Sequence, residues 1–167
     1  MSHALADHLR RLLAYHGWAH RELVAALGEV DGSACRAQCG LFYGSLHGTL
    51  NHLAVVDRLW LARVQAEPAP FATLRDEAAV SLSMLDAFIS DGVRAWSACL
   101  AERDDTGMLT AVAYRNMAGE PHRRTLADIV LHLVNHGTHH RGQMTAELTR
   151  LGHSAPAIDY IYFCPEA

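Results

Sequence analysis

The chain has 167 residues, half of them hydrophobic and 19% charged, and its net charge is −4 with neutral histidines. That composition describes one folded domain over 1–167 with room for an apolar core, and it excludes a disordered tail. No Lys/Arg block stands out to recruit nucleic acid, and no apolar run is long enough to span a bilayer.

The first helical pattern covers residues 4–27, with Leu5, Leu9, Leu12, His16, Ala19 and Leu23 at three-four spacing. This stretch is amphipathic and charged and lacks the apolar core of a signal peptide, so a cytoplasmic protein is expected. "GEVDGSACRAQCG" breaks the pattern and reads as a loop. Its Cys35 and Cys39, with Cys99 and Cys164, are expected to be reduced and without function, because CxxxC is neither the thioredoxin nor the common zinc spacing.

A second helix is expected over 41–66, stopping before "EPAP", and a third over 73–100, with Thr73 as N-cap before first-turn acids. Periodicity fails over 104–124, where a β-prone run, a Gly-Glu-Pro turn and a polar run suggest a small hairpin or ordered loop. A fourth helix covers 126–151 and ends at Gly152. The tail "SAPAIDYIYFCPEA" is apolar enough to pack back on the body. Four long amphipathic helices make the fold class all-α, an antiparallel four-helix bundle with a small insert before the last helix.

The chain holds twelve histidines, four of them in nine residues of the fourth helix. At roughly 100° per residue, Leu126, Ile129, Leu133, His136, His140 and Gln143 form a core seam. His136 and His140 stand one turn apart on it. His132 flanks the seam and His139 faces elsewhere. Imidazoles at i and i+4 can share one metal ion. The alternative is a pair of core histidines hydrogen-bonded to carbonyls or carboxylates. No Glu follows His136, so this is not the HExxH motif.

A third ligand has to come from another helix. In "SLHGTLNHLAVVDRLW", His52 borders the apolar arc and His47 sits on the charged face, so His52 is the better placed. Asp57 falls on the buried side and must be paired, either with a ligand histidine or with an arginine. His16 and His20 lie on or near the inner face of the first helix. They either complete a metal site or are polar core positions satisfied by hydrogen bonds. Arg141 could hold a carboxylate or phosphate but is read first as a helix-surface ion pair, and Gly142 as a close-packing position before one that lets a ligand approach. Trp18 and Trp60 are read as core, and Tyr114 as a residue able to cap the bundle mouth.

"LNHLAVVDRLWLAR" and "LHLVNHGTHHRGQM" resemble the two signature segments of the DinB family, damage-inducible metal-binding four-helix proteins. "YHGWAHREL" is similar to that family's N-terminal Tyr–Asn–x–Trp–Ala–Asn pattern, with His16 and His20 in place of both asparagines. "FATLRDE", "SLSMLDAFI" and "RTLADIVLHLVNH" extend the resemblance over nearly the whole chain. It implies His52, His136 and His140 as ligands of a divalent metal ion, zinc or nickel, with open positions for water. It also implies a fold similar to mycothiol-dependent maleylpyruvate isomerases and bacillithiol transferases, and a homodimer. The second helix's wide apolar arc also suggests a partner. Three functions follow from such a site: a transferase using a low-molecular-weight thiol, a metal-dependent hydrolase, and a metal-binding structural or stress-response protein without turnover. The resemblance favours the first.

Overall fold

The structure is a computed structural model and describes residues 3–164. Among these residues are seven helices and one two-stranded sheet. The four long helices are α1 (Ala4–Gly28), α3 (Leu46–Gln65), α4 (Leu82–Leu100) and α6 (Leu126–Arg150). Three short ones are α2 (Gly32–Arg36), α5 (Asp105–Met108) and α7 (Tyr160–Phe163). Helix α1 packs on α4 and α6, and α3 packs on the same two.

Capping sets most of the boundaries. Thr125 and Asp128 form a capping box at the start of α6. At its end Gly152 adopts φ 84°, and His153 N–H reaches back to the Leu148 carbonyl at 3.0 Å, which closes the last turn. Helix α3 begins at Leu46 rather than 41, because the Ser45 side chain accepts from Gly48 N–H and fixes the first turn there. The expected third helix also begins later, at Leu82 behind the Ser81 cap. Thr73 does not cap a helix. Its hydroxyl and amide, with the amide of Ala72, donate to the Asp76 carboxylate at 2.6–3.0 Å and close a tight turn. Within the predicted loop, Asp31 caps the short α2.

Two large apolar clusters fill most of the interior, and a small one of Tyr15, Ala19 and Val134 lies under the tail. One joins Leu23 and Leu27 of α1, Leu46 and Leu50 of α3, Leu85 and Ile89 of α4, and Met144 and Leu148 of α6. The other joins Leu9 and Leu13, Val56 and Leu61, Trp96 and Leu100, and Ile129 and Leu133 of the same helices. The order of these residues fixes helix direction. Helices α1 and α6 run from the second cluster to the first, and α3 and α4 run from the first to the second. Antiparallel packing therefore holds for α1 on α4 and for α3 on α6, while α1/α6 and α3/α4 are parallel pairs. The connection over 66–81 makes this possible by returning the chain along the molecule between α3 and α4. Asn51 pins it, donating to the Asp76 carbonyl at 2.6 Å and accepting from Ala78 N–H at 2.7 Å.

The insert is the expected hairpin. β1 (Ala111–Arg115) pairs antiparallel with β2 (Pro121–Thr125), with Tyr114 opposite His122. The tail returns to α1 as read from sequence. Tyr15 Oη donates to the Ile158 carbonyl at 2.9 Å, and Tyr160 and Phe163 pack on the Tyr15 ring. Residues 165–167 of that tail lie outside the described residues.

Candidate metal centre

Between the two apolar clusters the core turns polar. Helix α1 brings His16 and His20 to this level, α3 brings His52 and Asp57, and α6 brings His136, His140 and Arg141. The sequence phases of His52, His136 and His140 hold. Their ligand-capable nitrogens lie within 4.8 Å of one another, with His52 and His140 buried and His136 half-buried. His52 Nε2 and His136 Nε2 are 3.2 Å apart.

Backbone and side-chain acceptors set the protons. His52 Nδ1 stands 3.1 Å from the Leu74 carbonyl, and His140 Nδ1 stands 2.9 Å from Gln143 Oε1. Both oxygens only accept, so each Nδ1 carries the hydrogen and each Nε2 presents a lone pair to the centre. Tyr43 stacks on His52 with ring centroids 3.6 Å apart and planes at 14°, which fixes the imidazole plane. Sequence reasoning missed Tyr43 and Leu74, since both reach His52 from loops. Gln143 was placed on the seam, and its role as the acceptor for His140 emerges only here.

Burial shifts all three imidazoles toward the neutral form that ligates metals. It pushes His52 down to about 4, against the opposing effect of the Leu74 hydrogen bond. It pushes His136 down to about 3, with His140 and His52 adding repulsion. His140 is lowered by burial too, opposed by its bond to Gln143. The donor set fits a divalent ion. Two nitrogens each about 2.0–2.1 Å from a tetrahedral zinc lie roughly 3.3 Å apart, close to the His52–His136 spacing.

These shifts predict the acid behaviour of the metal-free protein. Unfolded histidines titrate near 6.5 and these do so lower, so the unfolded chain binds more protons between the two values. The contribution of these histidines to stability is full above about pH 6.5, is lost as pH drops toward 3–4 where His52 and His136 protonate in the fold, and changes no further below. Thermal melts of chelator-treated protein from pH 8 to pH 4 should show a plateau and then a decline. A midpoint flat across that range contradicts the assignment.

A second buried cluster lies beside the first. His16 Nε2 is 3.0 Å from Asp57 Oδ2 and 3.0 Å from His20 Nε2, and Arg141 Nη1 is 3.4 Å from His16 Nδ1. The guanidinium only donates, so His16 Nδ1 accepts and its proton sits on Nε2, directed at Asp57. Asp57 thus pairs with His16, which is not one of the triad, and reaches Arg141 only through that imidazole, so neither alternative the sequence left open holds as stated. Burial foremost, then His16 and Arg141, hold His20 well below the usual histidine range.

Readings of several single residues change. Arg141 is 1% exposed, not a surface ion pair; it lies over the Tyr15 ring and donates to Thr138 Oγ1 at 3.1 Å. The close-packing glycine is Gly137, where a Cβ would sit 2.5 Å from His16 Cε1, whereas Gly142 faces open space. His47 is 7% exposed rather than on a solvated face, because α2 covers it and Arg36 Nη2 lies 3.1 Å from its Nε2. It stays apart from the triad.

A cleft of about 420 Å³ opens from the triad. Its walls include Tyr43, His52 and His136 at one end and Trp60, Arg63 and Tyr114 at the other. Trp60, read as core from sequence, lines this cleft. Tyr114 does reach its mouth, 4.8 Å from the Trp60 ring.

The long helices thus gather three histidines, two buried and one half-buried, beside a cleft, close enough together that one ion could meet all three. The sequence profile of the DinB family matches residues 1–166, and the chain belongs to the DinB family. It is 23% identical over 163 residues to Protein DinB of Bacillus subtilis (strain 168), covering 93% of each chain. Its fold is similar to a crystal structure of a DinB-like protein from Bacillus cereus ATCC 10987, with a TM-score of 0.60 and 20% identity over 87% of this chain and 94% of that one. No helix among the described residues is long and apolar enough to cross a membrane.

Proposed function

We propose that this chain binds one divalent metal ion, zinc or nickel, through His52, His136 and His140, and uses it as a transferase acting with a low-molecular-weight thiol. The observation that carries the metal reading is the convergence of His52 and His136 Nε2 at 3.2 Å with the Nδ1 hydrogens of His52 and His140 committed to fixed acceptors. Imidazoles suit both metals. The second cluster is the weaker ion site, because Arg141 already places a positive charge against it and Asp57 offsets only that one.

An ion held by three neutral imidazoles supplies a Lewis acid that lowers the pKa of a coordinated water or thiol. The chain's own part is to hold those imidazoles rigid. Leu74 and Gln143 fix their tautomers, and Tyr43 fixes the His52 ring. The thiol requirement rests on the family resemblance. It is tested by giving metal-loaded protein a chromogenic electrophile with and without a panel of cellular thiols. Turnover that needs both thiol and metal supports the transferase. Turnover without thiol makes it a hydrolase, and no turnover makes it a metal-binding protein without catalysis.

The wider reading takes the chain as one DinB-like domain whose long helices form a four-helix bundle, placed in the cytoplasm. Free cysteines agree with a reducing compartment. A homodimer rests on the resemblance alone. The apolar arc of α3 that suggested a partner is covered within the protomer, with 14 of its 20 residues buried.

A further inference from the structure

The cleft beside the triad has opposite chemistry at its two ends. At the far end Arg63 is half-buried, its guanidinium carbon 4.6 Å from the centroid of Trp60 and 5.3 Å from that of Tyr114. Two aromatic faces hold the cation in place but supply no counter-charge. Among the described residues no carboxylate lies within ion-pair distance of it. Glu67 shares the adjoining groove with Arg63 and lines a further one, but makes no ion pair with the guanidinium. A cation drawn partly out of water and left without an anion is a site for one.

The path between the ends is apolar and elongated. His52, Val56, Leu59 and Arg63 step by four, three and four along one face of α3, so their Cα atoms span roughly 16 Å. Ring contacts trace the same line on the other wall. His136 lies 5.6 Å from His132, and His132 lies 5.4 Å from Trp60. Val56, Leu59 and Met117 supply the surface between.

We propose that this cleft binds an elongated apolar carboxylate, with its carboxylate on Arg63 and its opposite end beneath His52 and His136. The proposal rests on the metal-site reading only in what happens at that opposite end. Calorimetric titration with decanoate and with neutral decanamide tests it, since the two differ chiefly in charge. Wild type should bind decanoate about tenfold more tightly, the contribution of one charge-assisted pair. Arg63→Gln should bring the two probes within about twofold, and Arg63→Lys should keep most of the preference. In His136→Ala the preference should persist. Equal binding of both probes, binding of neither, or a preference that survives Arg63→Gln overturns the proposal. A preference lost in His136→Ala and kept in Arg63→Gln puts the carboxylate at the histidines; that also overturns it, and leaves the metal reading standing.

Discussion

His136→Ala should release the metal. His136 Nε2 stands 3.2 Å from His52 Nε2, and removing one of three protein donors leaves too few to hold the ion. We expect wild type to carry about one zinc per chain and the variant about none after dialysis, an affinity loss on the order of a hundredfold or more. His47→Ala and His139→Ala should keep the metal. His47 is engaged with Arg36, and His139 only receives the Gln143 amide at 3.3 Å, one step behind His140. Elemental analysis of tag-free protein reads the result. Equal losses across the three variants would mean that the ion sits elsewhere.

Asp57→Ala should destabilise the fold without emptying the metal site. The carboxylate is 7% exposed and offsets Arg141, itself 1% exposed, through His16. Removing it leaves a buried guanidinium uncompensated. Breaking a buried charge pair from one side costs about 3–5 kcal/mol, which lowers the melting temperature of a chain this size by about 10 °C. Thermal melts and metal analysis together decide it. A variant that melts like wild type shows that the Asp57–His16–Arg141 relay carries no such weight. A stable variant that loses its metal would move the ion to the His16–His20–Asp57 cluster.

What the sequence disclosed is what helical phase controls. His136 and His140 one turn apart, His52 at the edge of an apolar arc and Asp57 on the buried side are local facts, and each survives in the fold. The misreadings of His47 and Arg141 share one cause, contacts made from outside a residue's own helix. His47 looks solvated on an isolated helix, and it is buried by α2 and the 66–81 connection. Arg141 looks like a surface charge until Gly137 lets His16 come against it. The Thr73 turn imitates a helix start, since hydroxyl, carboxylate and amide pair alike in both. Parallel pairing of α3 with α4 depends on where the 66–81 connection travels, which no periodicity records. Tyr43 and the Leu74 carbonyl complete the His52 environment from loops, and nothing in their own residues marks them for it.

The central claim is that three imidazoles, presented through nitrogen and no cysteine, hold one ion. X-ray absorption at the zinc edge of tag-free, zinc-loaded protein tests it most directly. The account predicts one zinc per chain with nitrogen and oxygen neighbours at about 2.0–2.1 Å, the multiple-scattering signature of three histidines, and loss of that signature in His136→Ala. A sulfur shell near about 2.3 Å, a chain that takes up no zinc, or a histidine signature unchanged in His136→Ala would contradict it.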